Sequence, residues 1–232
     1  MISAQDVSKS YETPGETIEV LKNLTFDLAD GEAAAITGPS GCGKTTLLNL
    51  LGALDRPSSG SIIIGDQDIS RFSDDEATHF RNRSLGFVFQ QHYLLPQLNV
   101  LENVLVPRLA GDWKESAGDT EARARELLEK VGLGHRLKHL PWQLSGGEKL
   151  RTAVARALVN QPKLVLADEP TGSLDPASTD TIADLLLELN RDQKVTLLVV
   201  THNHALAQRI GRTFELRDGK LWSAGAESRR DA

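Results

Sequence analysis

The chain has 232 residues but only one cysteine, Cys42. A lone thiol cannot close an intrachain disulfide, which excludes a disulfide-stapled scaffold and suits a reducing cytosol. No apolar run approaches the roughly 20 residues that a membrane-spanning helix needs. The formal charge of −6 lacks the basic excess that accompanies nucleic-acid binding, so no nucleic-acid partner is expected. Met1 to Tyr11 is mixed and polar, without the charged-then-apolar order of a secretory leader. No internal repeat is visible. Association with a membrane would therefore have to run through a partner protein, from the cytoplasmic side.

Against these absences stand two phosphate-binding patterns about a hundred residues apart. The first is Gly38-Pro39-Ser40-Gly41-Cys42-Gly43-Lys44-Thr45, which fits G-x-x-x-x-G-K-[ST]. Before it, Ala33 to Thr37 reads as a short buried strand, and after it Leu47 to Leu51 continues an apolar helix. Glycines without a Cβ let successive backbone N–H groups turn inward around an anion. The following helix points its positive end at the same place. Lys44 would add a full charge near the β and γ phosphates, and the Thr45 hydroxyl could complete a Mg²⁺ shell of phosphate oxygens and water.

Three further apolar runs end in polar residues. Leu85 to Phe89 ends in Gln90, Leu164 to Ala167 in Asp168 and Glu169, and Val195 to Val200 in Thr201 and His202. Near-continuous apolar runs suit parallel strands buried on both faces, and ligands of open parallel sheets bind beyond the carboxyl ends of the strands. Asp168 is a hard oxygen ligand for Mg²⁺, directly or through water. Glu169 could orient or deprotonate an attacking water. Gln90 both donates and accepts, so it could sense metal, water or γ-phosphate. His202 could position the γ-phosphate by a hydrogen bond.

The second pattern is Leu144-Ser145-Gly146-Gly147-Glu148. Ser145 and Glu148 read as a capping box opening a helix through about Leu158. Capping alone leaves the glycine pair unexplained, because consecutive glycines cost a helix about 1 kcal/mol each against alanine. They expose bare backbone N–H groups at a positive helix end, a second phosphate contact. Two copies of the chain facing head to tail could bring both patterns to one nucleotide.

Taken in order, these residues resemble an ATP-binding-cassette (ABC) ATPase over essentially the whole length, which implies an α/β P-loop fold forming one domain over residues 1–232. Residues 38–45 match the family's Walker A loop, with Thr46 beside it. Gln90 matches the Q-loop, 144–148 the signature, and Leu164 to Asp168 Walker B. Glu169 matches the catalytic glutamate, Ser173-Leu174-Asp175 the D-loop and His202 the H-loop. The resemblance puts Lys44, Gln90, Glu169 and His202 in catalysis. It puts Thr45, Gln90 and Asp168 at Mg²⁺, and Tyr11 where an aromatic stacks on adenine. It also implies ATP and Mg²⁺ as cofactors, a homodimer closed by ATP, and integral membrane permease subunits at the cytoplasmic face of the inner membrane. Phe87-Val88-Phe89-Gln90, Tyr93-Leu94-Leu95-Pro96 and Leu101-Glu102-Asn103-Val104 are similar to the branch serving mechanotransmission-type membrane partners. Lipoprotein-releasing ATPases of that branch share the most stretches, and macrolide-exporter and cell-division ATPases share many of them. Lys149-Leu150 replaces the family's glutamine-rich pair, and Asn203 replaces an aspartate.

The coarse layout has three parts. Residues 1–30 and 58–70 read as an antiparallel β layer with turns at Pro14-Gly15, Asp30-Gly31 and Ser58-Ser59-Gly60. Residues 31–57 and 156–222 supply the mainly parallel core. A helical lobe spans about 91–155, with Leu127, Leu128 and Val131 on one face of a helix, and a solvated tail takes 223–232. Trp113 in its polar loop reads as ordinary packing. Transport and regulatory signalling through a membrane partner both remain compatible with the sequence. The absence of an N-K-x-D motif disfavours a GTPase. A ribosome- or DNA-acting cassette protein would bring a second cassette or long insertions, and neither is here.

Overall fold

The computed structural model describes residues 2–111, 113, 116–172 and 176–223. Strands β1 (Ile2–Thr13) and β2 (Glu16–Leu28) form a long hairpin, followed by β3 (Ala33–Thr37) and helix α1 (Lys44–Leu51). Strands β4 (Ser59–Ile64) and β5 (Gln67–Asp68) lead to α2 (Asp74–Ser84) and β6 (Leu85–Val88). Helices α3 (Val100–Leu105), α4 (Ala117–Lys130) and α5 (Gly146–Leu158) come next. The chain continues through β7 (Leu164–Asp168), α6 (Pro176–Gln193), β8 (Thr196–Val200), α7 (His204–Ile210), β9 (Arg212–Arg217) and β10 (Lys220–Ser223).

One sheet is antiparallel, ordered β2-β1-β4-β5; the other has six strands, ordered β10-β9-β3-β8-β7-β6. In the second sheet β9, β3, β8, β7 and β6 run parallel, and only β10 is antiparallel. Its middle strands are buried on both faces, which explains their unbroken apolar runs. Leu164, Leu166, Leu198 and Val200 pack with α1 and the antiparallel sheet. The alternate residues Val165, Ala167, Leu197 and Val199 pack with the helices on the opposite face.

Side-chain caps set where several helices begin. Ser73, Asn99 and Ser145 each complete a capping box with the glutamate three residues on. Ser116 caps α4 and Asn203 caps α7 through Leu206 N–H. Asn203 thus does at this helix start what an aspartate would do. Leu150 is fully buried in the helical core, so its departure from a glutamine-rich pattern is a packing residue. The expected face of α4 is present: Ala124, Leu127, Leu128 and the following Val131 are buried. Trp113 lies between the guanidinium groups of Arg83 and Arg108, each 4.1 Å from its ring.

Two boundaries differ from the sequence reading. Ser58-Ser59-Gly60 is not a turn: β4 begins at Ser59, and Gly60 sits at φ +83° inside a bulge against β1. A Cβ there would lie 2.4 Å from the Asp6 carbonyl oxygen, so the glycine serves close strand approach and not chain reversal. Ser223, placed in the tail, closes β10. The rest of that tail and the D-loop match at 173–175 lie outside the described residues.

Candidate functional site

The carboxyl ends of β3, β8, β7 and β6 lie side by side, because these strands are adjacent and parallel. The Gly38–Thr45 loop leaves β3, Thr201 and His202 leave β8, Asp168 and Glu169 end β7, and Gln90 follows β6. The topology therefore brings together four segments spread from Gly38 to His202.

Backbone geometry accounts for the glycines of the loop. Gly38, Gly41 and Gly43 have φ of +152°, +79° and +105°, where a Cβ is strained. A Cβ on Gly38 would also lie 2.3 Å from Leu216 O, and one on Gly43 2.9 Å from Leu21 Cδ2. Gly43 caps α1 without a side-chain hydrogen bond, so the helix end offers backbone N–H groups outward. Pro39, Ser40 and Cys42 complete the curve. Lys44 Nζ donates to Gly38 O and Pro39 O, both at 2.9 Å. Its stem is buried and its ammonium is held across the mouth of the loop.

The Thr45 hydroxyl donates to Asp168 Oδ2 at 3.5 Å. Burial pushes the Asp168 carboxyl above its ordinary range, and the neighbouring Glu169 charge adds to that; Thr45 and Lys44 oppose it. A half-buried carboxylate with a hydroxyl beside it and a second carboxylate adjacent makes a hard-oxygen set, and it fits a divalent cation such as Mg²⁺.

Glu169 takes an uncommon left-handed backbone, φ +45°, and its N–H donates to Val200 O at 2.8 Å. The carboxylate is held by three groups of the β8 end. Thr201 Oγ1 donates to Oε2 at 3.1 Å, His202 N–H to Oε2 at 3.2 Å, and His202 Nδ1 lies 2.9 Å from Oε1. The His202 ring is paired with Glu169 and remains largely exposed. Gln90 reaches the turn after Glu169: a Cβ on Gly172 would lie 3.0 Å from Gln90 Nε2.

Tyr11, on β1, has an exposed ring and donates its hydroxyl to Asp55 Oδ2 at 2.9 Å. Thr46, in the first turn of α1, influences the same phenol, which puts Tyr11 beside the phosphate loop. The second pattern lies elsewhere. Ser145 and Gly146 are exposed at the start of α5, which packs on β6, α3 and α4. Helix α1 packs on β2, β7 and β8. Ser145 Oγ accepts from Glu148 N–H at 3.2 Å, and Glu148 returns the bond from Ser145 N–H at 2.8 Å. A Cβ on Gly147 would meet only Arg151 Nη1, at an ordinary 3.5 Å, so nothing within the described chain requires glycine there.

Three residues at or beside the site escaped sequence reading. Asp55 and Lys9 hold Tyr11, but 44 residues separate Asp55 from the tyrosine and neither carries a motif. Arg156 donates to the carbonyls of His92 and Tyr93 just after Gln90, where both residues have positive φ.

Comparison with known proteins gives the family. The chain matches the ABC transporter family over residues 21–172. It is 50% identical over 225 residues to the lipoprotein-releasing system ATP-binding protein LolD 1 of Rhodopirellula baltica, covering 97% of each chain. It is 49% identical over 221 residues to LolD of Geobacter metallireducens, covering 95% of this chain and 97% of that one. Among solved structures, the dimeric bacterial ABC transporter cassette MJ0796 superposes with a TM-score of 0.87 at 41% identity, covering 95% of this chain and 96% of that one. A post-hydrolysis dimer of the same cassette, bound to ADP and Pi, superposes equally well at 40% identity. With phosphate loop, acidic strand end and exposed glycine helix disposed as described, the chain belongs to the ABC transporter family, as one of its ATP-hydrolysing cassettes.

Proposed function

We propose that this chain is the ATP-hydrolysing subunit of a lipoprotein-releasing membrane complex, working as a head-to-tail homodimer with two ATP molecules between the copies. The observation that carries the dimer is Gly147. Its fold tolerates a side chain, yet the residue is a helix-weakening glycine on an exposed helix start. A second chain's nucleotide would account for it. The relatives at about half identity over nearly the whole chain support the lipoprotein-release reading.

In each composite site, one chain would supply Lys44, Thr45, Gln90, Asp168, Glu169 and His202, and the other Ser145, Gly146 and Gly147. Phosphoryl transfer needs positioning and charge neutralisation more than covalent help. Lys44, released from the Gly38 and Pro39 carbonyls, would meet the β and γ phosphates. Thr45 and Asp168 would hold Mg²⁺, with Gln90 alongside; the ion supplies neutralisation of phosphate charge. Glu169, oriented by the Thr201 hydroxyl and the His202 backbone N–H, would accept the proton of the attacking water. Exchange of the His202 ring from Glu169 to the γ-phosphate would release the carboxylate for that role.

No helix among the described residues is long and apolar enough to cross a membrane, so the membrane part of the complex would be a separate permease subunit, with this chain on its cytoplasmic face. A groove of about 450 Å³ between the core and the helices suits its docking segment. Leu54, Phe87, Phe89, Tyr93, Val106 and Pro107 line it, and Phe89 touches both Phe87 and Tyr93 at 5.3 Å between ring centres. The groove is lined by β6 residues and by Phe89 and Tyr93 beyond them, and would couple through Gln90. The test is affinity purification of the tagged chain from detergent-solubilised membranes of its host, followed by reconstitution. The expected outcome is an integral membrane partner whose vesicles shed acylated lipoprotein on ATP addition. Co-purification with soluble partners only would contradict it.

A further inference from the structure

Tyr11 stands in a small network of its own. Its hydroxyl donates to Asp55 Oδ2 at 2.9 Å. The other oxygen of that carboxylate, Oδ1, accepts from Lys9 Nζ at 2.7 Å and from Arg56 N–H at 2.7 Å. Lys9 Nζ also donates to Arg56 O at 2.8 Å and lies 4.8 Å from the centre of the Tyr11 ring. The lysine side chain is largely buried, 12% exposed, while Tyr11 keeps 38% of its surface open. One ring face is therefore occupied by an ammonium, the ring edge is tied to a carboxylate, and the remaining surface faces solvent.

A phenol on a β-strand otherwise has two free torsions, and stacking on a base requires both to be set. Asp55 sets them by accepting the hydrogen bond of the hydroxyl. Lys9 keeps that carboxylate charged and turned toward the ring: the Asp55 carboxyl is held below its ordinary range, despite its burial, by the Lys9 ammonium, the Arg56 N–H and the Tyr11 hydroxyl. The ammonium over one face also leaves a single face for a planar ligand. We infer that Lys9 and Asp55 are positioning residues for base recognition, holding Tyr11 with one face presented to the purine of ATP. The inference rests on the reading that the base stacks on Tyr11.

Calorimetric titration of the full-length chain with Mg·ATP and with Mg·tripolyphosphate, which has no base, tests it. Tyr11→Ala should weaken ATP binding on the order of tenfold, within the range of base–aromatic stacking, and leave tripolyphosphate binding within about twofold. Asp55→Ala and Lys9→Met should weaken ATP by about fivefold each, again sparing tripolyphosphate, and Lys9→Arg should restore most of the loss. The double variant Tyr11→Ala/Asp55→Ala should bind ATP no more weakly than Tyr11→Ala alone. If Tyr11→Ala has full ATP affinity, the base does not rest on this ring and the inference falls with that reading. If Tyr11→Ala is impaired while Asp55→Ala and Lys9→Met are not, the stacking reading stands and the positioning roles fail. Equal loss for both ligands, or additive loss in the double variant, also overturns the roles. Should Asp55→Ala not fold, Asp55→Asn and Lys9→Met carry the comparison.

Discussion

Asp168 shows how a residue proposed to hold Mg²⁺ can work against the fold around it. Burial and the Glu169 charge raise its carboxyl above the ordinary range, so the folded state disfavours the charged form. A raised folded value means that the residue's contribution to stability is complete below the unfolded value, near pH 3.9, and is lost as pH rises through the folded one. Asp168→Asn should therefore melt above the wild type at pH 7.5, with the difference shrinking toward pH 4 in thermal melts, while ATPase activity is lost. A pH-independent difference, or a lower melting point throughout, would contradict the assignment. Lys44 makes the complementary case. Its ammonium closes on two loop carbonyls, so Lys44→Ala should fold normally and yet lose at least about a hundredfold in turnover. Asp168, Glu169 and His202 are legible as polar residue types at strand ends, and Lys44 by its place in the glycine loop. The pairing of His202 with Glu169 was not, because it depends on two parallel strands, β7 and β8, being in register.

At the scale of elements, two kinds of glycine separate. Gly38 is required by the chain's own geometry, with positive φ and a carbonyl 2.3 Å from where a Cβ would stand. Gly38→Ala should cost roughly 2 kcal/mol or more in denaturant unfolding. Gly147 carries no such constraint, so Gly147→Ala should gain about 0.5–1 kcal/mol of helix stability while ATP hydrolysis falls sharply. Stability and activity moving in opposite directions would mark the glycine as kept for a ligand; equal activity in the alanine variant would remove the reason for a composite site. Elements whose local signals agreed are readable, as with the capping box at Ser145 and the unbroken apolar runs at β7 and β8; the capping boxes at Ser73 and Asn99 emerge only from the structure. The misread turn at Ser58-Ser59-Gly60 failed for a physical reason. A bulge glycine and a turn glycine have the same sequence appearance, and only the approach of Asp6 distinguishes them.

On the scale of the whole molecule, the phosphate loop and the signature helix belong to separate packing units of one chain, and the claim is that a second copy unites them. Glu169→Gln keeps the shape of the side chain but not its basicity, so with Mg·ATP it should accumulate as a dimer in size-exclusion chromatography with light scattering; a persistent monomer at saturating nucleotide would count against it. The more direct measurement mixes Lys44→Ala with Ser145→Arg. Each homodimer carries damage in both composite sites. The mixed dimer has one site with both defects and one with an intact loop from the Ser145→Arg chain and an intact signature from the Lys44→Ala chain. Fluorescent ATP-analogue binding and turnover are measured on mixed dimers isolated by two affinity tags. The account predicts tight binding, with a fraction of wild-type turnover, that neither homodimer shows. Isolated mixed dimers that bind and hydrolyse no better than the homodimers would contradict it.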